Sequence, residues 1–198
     1  MRRFATLFLG LSLGLAQAGG GIAASPPTDP SSAPADETGA QAIEQLYARL
    51  AATRYPDEAA GILQAIDTAR RQSGSDTGDL LMTRALQARS EEDLPLALQL
   101  FNTIVELYPD WSESWSERAT TRFQTGDVDG AVGDLAQTLK REPRDIGALA
   151  GLGAVMLDAG KPDEALRAYD RALALAPAYE PLKEARTRAQ TMLWSRTP

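Results

Sequence analysis

The sequence predicts an all-α protein, a right-handed α-solenoid built from stacked helical hairpins. The main observation is a 34-residue period from residue 85 onward. Four series share this period: prolines, small residues twelve positions before them, larger residues four positions further on, and small residues of the preceding helix. They are Pro109, Pro143 and Pro177; Ala97, Ala131 and Ala165; Phe101, Leu135 and Tyr169; and Ala85, Ala119 and Gly153. Four coincident series at one spacing indicate a repeat architecture.

Each series has a physical role in a stacked hairpin. The small residues let the two helices of one unit approach to about 8–10 Å, and the larger residues fill the space between neighbouring units. Each proline ends a second helix, because proline lacks the amide donor and disfavours helix at the residue before it. A single unit cannot bury its apolar face alone, so the units must stack.

This pattern resembles the tetratricopeptide repeat (TPR), a helix-turn-helix unit of 34 residues. Three copies are assigned, at residues 78–111, 112–145 and 146–179. The third copy matches best, and the turn between its helices reads GKPDEA. In the first copy, EEDLPLA replaces a glycine-containing turn. Three arginines stand where the family usually has Leu or Tyr: Arg84, Arg118 and Arg122. The chain as a whole is similar to exported bacterial TPR proteins.

Two flanking segments are predicted to complete the solenoid. Residues 40–77 are assigned to a degenerate first repeat and linker, since Pro56-Asp57-Glu58-Ala59 parallels the turn of the third copy. Residues 180–198 are assigned to a capping helix and tail, because an apolar stripe recurs there at helical spacing. The stripe consists of Leu182, Ala185, Ala189, Met192 and Leu193. About nine helices are therefore expected.

The N-terminal residues are predicted to lie outside the fold. Residues 1–18 are assigned to a secretory signal peptide, because two arginines precede an apolar stretch and the small-residue pattern Ala16-Gln17-Ala18. Cleavage is favoured after Ala18, with Ala23 or Ala24 as the alternative. An uncleaved membrane anchor is the other interpretation, although the apolar stretch is shorter than the roughly 20 residues that span a bilayer. Residues 19–39, rich in Gly, Pro, Ser and Ala, are assigned to a disordered tether. The expected location is periplasmic or secreted, with no stable membrane span after cleavage.

The composition argues against several classes of function. The 198-residue chain has no Cys and no His, so it has no nucleophile–histidine pair and no Cys/His zinc site. Its formal charge of −7 argues against nucleic-acid binding, which needs a basic face. No cofactor and no metal are expected, and the protein is predicted not to be an enzyme. Catalysis by a carboxylate pair is the weakest alternative, because no motif for it occurs.

The TPR resemblance implies that the first helices of the units line a concave groove. The residues placed there are mostly small or apolar: Met82, Leu86, Arg89, Ser116, Thr120, Phe123, Ala150, Ala154 and Leu157. Such a surface suits an extended peptide or an amphipathic helix. The alternative is that the degenerate first unit or the tether covers it. The family's clamp for a partner's C-terminal carboxylate is not expected, because the corresponding positions carry neither a basic residue nor Asn.

The three unusual arginines allow two interpretations. Arg84 and Arg118 occupy equivalent places in successive units, with Arg122 one turn beyond the second. They are candidate anion contacts in a ladder, since arginine offers a planar fork to carboxylates. The other interpretation, which half-buried arginines favour, is pairing within the molecule. The candidate acids are Glu106, Glu113, Glu117 and Asp134.

The expected function is that of a non-enzymatic, exported scaffold or adaptor that binds a protein or peptide in its groove in the cell envelope. The alternative is a structural or assembly role through self-association. Trp115 is predicted to lie in the core. Trp111 is a candidate exposed contact residue, and Trp194 lies near the C-terminus.

Overall fold

The computed structural model describes residues 35–195, and this part of the chain forms nine α-helices and no strand. They are α1 (Ala35–Ala52), α2 (Pro56–Arg70), α3 (Asp76–Ser90), α4 (Leu94–Leu107), α5 (Ser112–Thr125), α6 (Val128–Arg141), α7 (Ile146–Asp158), α8 (Pro162–Leu175) and α9 (Glu180–Trp194). The all-α helical-repeat prediction is confirmed. The assigned signal peptide and most of the assigned tether lie outside the described residues.

The tether assignment is too long at its C-terminal end. Helix α1 begins at Ala35, five residues inside the segment 19–39. The helix starts directly after Pro34 in the sequence.

Helices α3 to α8 form three antiparallel pairs, each packed on the next. The third pair shows why small residues recur in the first helices. A Cβ atom placed on Gly153 would lie 2.5 Å from the Tyr169 ring, well inside van der Waals contact. The absence of a side chain at Gly153 therefore lets the two helices pack with Tyr169 between them.

The turn inside each pair uses one left-handed residue at the same position. These residues are Glu92, Gly126 and Gly160, with φ of 64°, 86° and 70°. The EEDLPLA segment thus makes the same turn as its glycine-containing counterparts, with Glu92 in the conformation that glycine adopts most easily. In the first two turns the next residue, Asp93 or Asp127, caps the second helix by accepting a backbone hydrogen bond.

Helix α9 covers the end of the third pair. Leu182, Ala185 and Ala189 are buried against it. Met192, which the apolar stripe also contained, is 38% exposed, so the buried stripe ends before the last turn. The predicted capping helix is confirmed.

At the other end of the stack, no helix of residues 35–195 lies in front of α3. The third and tenth residues of each first helix face the preceding pair, and in α5, α7 and α9 they are all buried. They are Ser114 and Thr121, Ala148 and Val155, and Leu182 and Ala189. The equivalent residues of α3 are Leu80, which is 52% exposed, and Gln87, which is also exposed. Among the described helices, therefore, none stacks on this face of α3.

The hairpin formed by α1 and α2 packs elsewhere. Its buried residues Tyr47, Leu50, Ile62 and Ile66 join one apolar cluster with residues of α5 to α9, and α1 contacts α8. Helices α3 and α4 form a separate cluster. The segment 40–77 thus forms a helical hairpin, as expected of a degenerate repeat, but it is not the first layer of the stack.

The polarity of α3 explains this difference. Its outward face carries Thr83, Arg84 and Gln87, all exposed, beside one exposed apolar residue, Leu80, and a mostly polar outer face is what a terminal repeat requires. The face needs no covering unit, whereas the apolar side chains of the hairpin must be buried. They are buried against apolar residues of α5 to α9.

Candidate functional site

The residues assigned to the groove divide into two groups. Met82 is 3% exposed and lies in the α3–α4 core cluster, so it contributes packing where a groove contact was expected. The remaining eight assigned residues, on α3, α5 and α7, are half-buried. Phe123, Ala150 and Leu157 rest against the larger core cluster, which leaves part of each side chain exposed.

Arg89, on the α3 side of the assigned groove, is held by α5. Its Nη1 lies 2.6 Å from Glu117 Oε2 and donates to the Glu117 carbonyl at 3.2 Å. The guanidinium also lies 5.8 Å from the centre of the Phe101 ring. The charge of Arg89 is thus neutralised within the molecule.

Arg118 and Arg122 converge on one buried carboxylate. Arg118 forms a bidentate pair with Asp134, at 2.7 and 2.8 Å, and donates to Asn102 Oδ1 at 3.0 Å. Arg122 Nη1 lies 3.0 Å from Asp134 Oδ2. Arg84 is exposed on α3. The ion-pair interpretation therefore describes Arg118 and Arg122, and an anion-binding ladder is not formed.

The tryptophans occupy polar surroundings. Trp115, predicted to lie in the core, is half-buried between the guanidinium groups of Arg118 and Arg141, at 4.9 and 4.7 Å from the ring centre. Cation–π contact favours this position over a dry core. Trp111 is half-buried, and its Nε1 donates to the Arg70 carbonyl at 2.9 Å. Trp194 is 68% exposed.

That bond from Trp111 marks a second surface, which we term the inter-unit edge. It consists of the turns at residues 108–111, 142–145 and 176–179 and the first turns of α5, α7 and α9. These turns recur every 34 residues, so they lie along one side of the stack. The α1–α2 hairpin packs across this edge.

Arg70, the last residue of α2, makes the central polar contacts at the inter-unit edge. Its side chain is 9% exposed. Nη2 donates to Asp145 Oδ2 at 2.6 Å and to Ser112 Oγ at 3.2 Å, and lies 3.8 Å from Glu113 Oε2. Although burial acts against the charge, the Asp145 carboxylate raises the pKa of Arg70. The guanidinium therefore joins the start of the second repeat to its last residue, Asp145, which caps α7.

The acids around Arg70 outnumber its single charge. Burial, together with the charges of Glu117 and Asp145, raises the pKa of Glu113 well above its ordinary value. Arg71, which is half exposed, adds longer contacts, 3.6 Å to Glu117 and 4.0 Å to Glu113. The inter-unit edge beneath the hairpin is thus both acidic and buried.

Contacts from α1 complete the docking. Arg144 pairs with Glu44 through both oxygens, at 2.6 and 2.9 Å, and its guanidinium lies 4.3 Å from the centre of the Tyr47 ring. Burial raises the pKa of the Tyr47 hydroxyl to about 12. This hydroxyl is buried and has no hydrogen-bond partner among the described residues.

Sequence reasoning missed the inter-unit edge, although two signals pointed to it. Trp111, Asp145 and Tyr179 occupy the last position of successive repeats. The hairpin contacts the first two through the backbone and side chain of Arg70. Burial raises the pKa of Tyr179, and the charge of Asp67 adds to this. Helix α3 carries the longer polar side chains Arg84 and Gln87 on the face where a preceding unit would pack. Together these features indicate that the hairpin packs on the inter-unit edge and not in front of α3.

In the part of the chain that the structure describes, no helix is long and apolar enough to cross a membrane. No group of three or more His, Cys, Asp or Glu side chains there is arranged to hold a metal ion.

Fold and sequence define this chain as a helical-repeat protein of the TPR class. The tetratricopeptide repeat family model matches residues 116–180. A TPR repeat-containing protein of Rhizobium etli is 37% identical over 138 residues, which cover 70% of this chain and 68% of that protein. The chain belongs to the tetratricopeptide repeat family, as the sequence resemblance predicted. It is also 31% identical, over 98 residues, to small glutamine-rich tetratricopeptide repeat-containing protein 2 of Mycosarcoma maydis, covering 50% of this chain and 28% of that protein.

Solved structures share the fold at low sequence identity. The Sgt2 TPR domain from Aspergillus fumigatus matches with a TM-score of 0.58 at 17% identity, over 61% of this chain and 82% of that one. The TPR2B domain of yeast Sti1, solved in a complex with pHsp70, matches with a TM-score of 0.57 at 14% identity, over 59% of this chain and 98% of that one. At these identities the likeness concerns the fold.

Proposed function

We propose that this protein is a non-enzymatic scaffold that binds a protein or peptide partner along the groove face of its repeats, in the cell envelope after export. The observation that carries the proposal is the row of half-buried small and apolar side chains on α5 and α7, which includes Phe123, Ala154 and Leu157. Side chains of this kind offer apolar area to an amphipathic helix or an extended peptide.

The side chains around this row favour a partner that binds mainly by apolar packing. Arg89 and Glu117 are paired with one another, so they add little net charge to the surface. The TPR2B domain of yeast Sti1, which shares the fold, was solved in a complex with pHsp70. Export rests on the signal-like N-terminus, which precedes the described residues.

In-cell crosslinking of the tagged full chain tests the groove. We expect the wild type to capture a defined envelope protein and Phe123→Glu/Leu157→Lys to lose it, since both substitutions place charge in the apolar row. The matched control is Leu107→Glu/Ala174→Lys, the same charges at exposed positions of α4 and α8, and it should keep the partner.

Two outcomes contradict the proposal. Equal capture by the groove variant and the control would place the contact on another surface. Self-crosslinks alone, retained by the groove variant, would favour an assembly role through self-association. Cell fractionation tests export separately, because a chain found only in the cytoplasm would contradict the envelope location.

A further inference from the structure

The docking of the α1–α2 hairpin differs in kind from the packing between repeats. Within the stack, successive helices lie close along their length. At the inter-unit edge, α1 contacts α8, and α2 reaches the stack through side chains. Arg70 and Arg71 meet Asp145 and the acids of α5, and Ile62 and Ile66 join the apolar cluster of α5 to α9. The hairpin connects to α3 through residues 71–75, where Gly74 adopts a left-handed φ of 77°. The stack is thus complete without the hairpin at its α3 end.

The surface beneath the hairpin, which we term the seat, has two parts. One is apolar and is formed by residues of α5 to α9, which share a core cluster with Ile62 and Ile66. The other is an acidic pocket that holds one guanidinium. Asp145 and Ser112 accept hydrogen bonds from Arg70, with Glu113 at 3.8 Å. The residues Ile62, Ile66 and Arg70 recur every four positions and therefore lie on one face of a helix. The occupant is an amphipathic helix with an arginine at its C-terminal end.

We propose that the inter-unit edge is a binding site for an amphipathic partner helix with a C-terminal arginine, and that the α1–α2 hairpin is its built-in, displaceable occupant. The partner's guanidinium takes the place of Arg70 between Asp145 and Glu113. Two carboxylates around one arginine favour a cationic ligand over a neutral one, because removal of the arginine leaves buried acids without a partner. This surface adjoins the groove face at Glu117, which pairs with Arg89 and lies 3.6 Å from Arg71. The apolar row of the groove is not part of it, so the inference stands if the groove proposal fails.

Peptide binding to the full chain tests the inference. The receptor is a released variant, Leu50→Asp/Ile66→Asp, which places charge on the buried face of the hairpin and leaves the seat unchanged. The first probe is a fluorescent synthetic peptide of residues 40–71. The second is a helical 16-residue peptide that keeps only the equivalents of Ile62, Ile66 and Arg70 on an alanine-glutamine background. Fluorescence anisotropy measures the affinity of each probe.

The expected result has three parts. Both probes bind the released variant, and the wild type binds them at least tenfold more weakly because its own hairpin competes. Replacing the arginine equivalent to Arg70 by Ala in either probe weakens binding at least tenfold. Replacing the exposed Arg54 by Ala in the first probe leaves binding unchanged.

Several results overturn the inference. The first is that replacing the Arg70 equivalent by Ala leaves the affinity of either probe unchanged. The second is that the first probe binds and the second does not. The third is that neither probe binds a released variant whose stack is folded.

Hydrogen exchange of α5 to α8 reports whether the stack is folded. Loss of their protection in both Leu50→Asp and the double variant would make the hairpin an integral part of the fold. Unchanged protection of the hairpin in these variants would also exclude displacement. The groove variant Phe123→Glu/Leu157→Lys should bind both probes as the wild type does, which separates this test from that of the groove.

Discussion

Two hairpins of this molecule share a turn sequence and differ in how they join the fold. Pro56-Asp57-Glu58-Ala59 and Pro162-Asp163-Glu164-Ala165 begin α2 and α8, and Ala59 and Ala165 are both fully buried. The local rule for bringing two helices together is therefore the same in both. The difference lies in the residues that make neighbouring units stack.

The position of Gly153 in α7 corresponds to Tyr47 in α1, and Pro177 after α8 corresponds to Arg71 after α2. Gly153 leaves room for Tyr169, whereas Tyr47 lies beneath the Arg144 guanidinium. Arg71 and its neighbour Arg70 then meet the acids of the inter-unit edge. At both positions, therefore, the residue that serves stacking in the third repeat is replaced in the α1–α2 hairpin by one that contacts a charged group of the inter-unit edge.

The largest expected effect lies in the repeat stack. Asp134→Ala should lower the free energy of unfolding by about 3–5 kcal/mol, because it leaves the buried guanidinium of Arg118 without its carboxylate. Urea unfolding followed by circular dichroism measures the change. Asp129→Ala, at an exposed acid of the same helix, is the control and should change stability by less than about 0.5 kcal/mol. A loss below about 1 kcal/mol for Asp134→Ala would mean that the pair is not a structural anchor.

An intermediate, pH-dependent effect is expected where the hairpin meets the stack. Because Glu113 has a raised pKa in the folded protein, its favourable contribution is complete below the ordinary value of 4.5 and is lost as the pH rises through the folded pKa. Relative to Glu113→Gln, the wild type should therefore lose stability as the pH rises above 4.5, by at most about 1.4 kcal/mol per pH unit. The facing charges are those of Arg70, Arg71, Asp67, Glu117 and Asp145.

Urea unfolding of both proteins between pH 4 and pH 8 measures this difference. The quantity to compare is the wild-type free energy of unfolding minus that of Glu113→Gln. A difference that stays constant or increases with pH would show that Glu113 is held as a stable carboxylate in its pair with Arg70, and that the inter-unit edge carries no excess of negative charge.

The smallest expected effect lies inside the hairpin. Tyr47→Phe should leave the free energy of unfolding unchanged or raise it by up to about 1 kcal/mol, because the buried hydroxyl makes no hydrogen bond among the described residues. The ring contact with Arg144 is retained in the variant. A loss of more than about 1 kcal/mol, measured by urea unfolding, would reveal a bond to the hydroxyl. Tyr55→Phe, at an exposed position of the α1–α2 turn, is the control.

The repeat pattern was readable from the sequence because it is local. Proline positions, small residues and turn residues are set by backbone sterics and by the distance between two adjacent helices, so the period and the nine helices could be predicted. Even the turn at Glu92, which lacks glycine, adopts the left-handed conformation of its counterparts, because the helices on either side determine its path.

The candidate sites depend on contacts between helices that the 34-residue period does not specify. The small and apolar character of the groove residues could be read from the sequence, but Met82 turned into the α3–α4 core because Phe101 and Ile104 pack there. Trp115 left the core because two arginines from different helices enclose its ring. Which of the four candidate acids pairs with Arg118 depends on how α5 and α6 are rotated relative to one another, and in the structure it is Asp134.

The family, the helices and the cap could be predicted from the amino-acid sequence, since each follows from spacing within one unit. The docking position of the first hairpin depends on contacts between distant residues. The mostly polar face of α3 offers the hairpin little apolar surface, whereas the inter-unit edge offers Arg70 a carboxylate partner, Asp145, 75 positions away in the sequence. Burial of a charge requires a partner from anywhere in the chain, and the sequence does not show which distant acid supplies it.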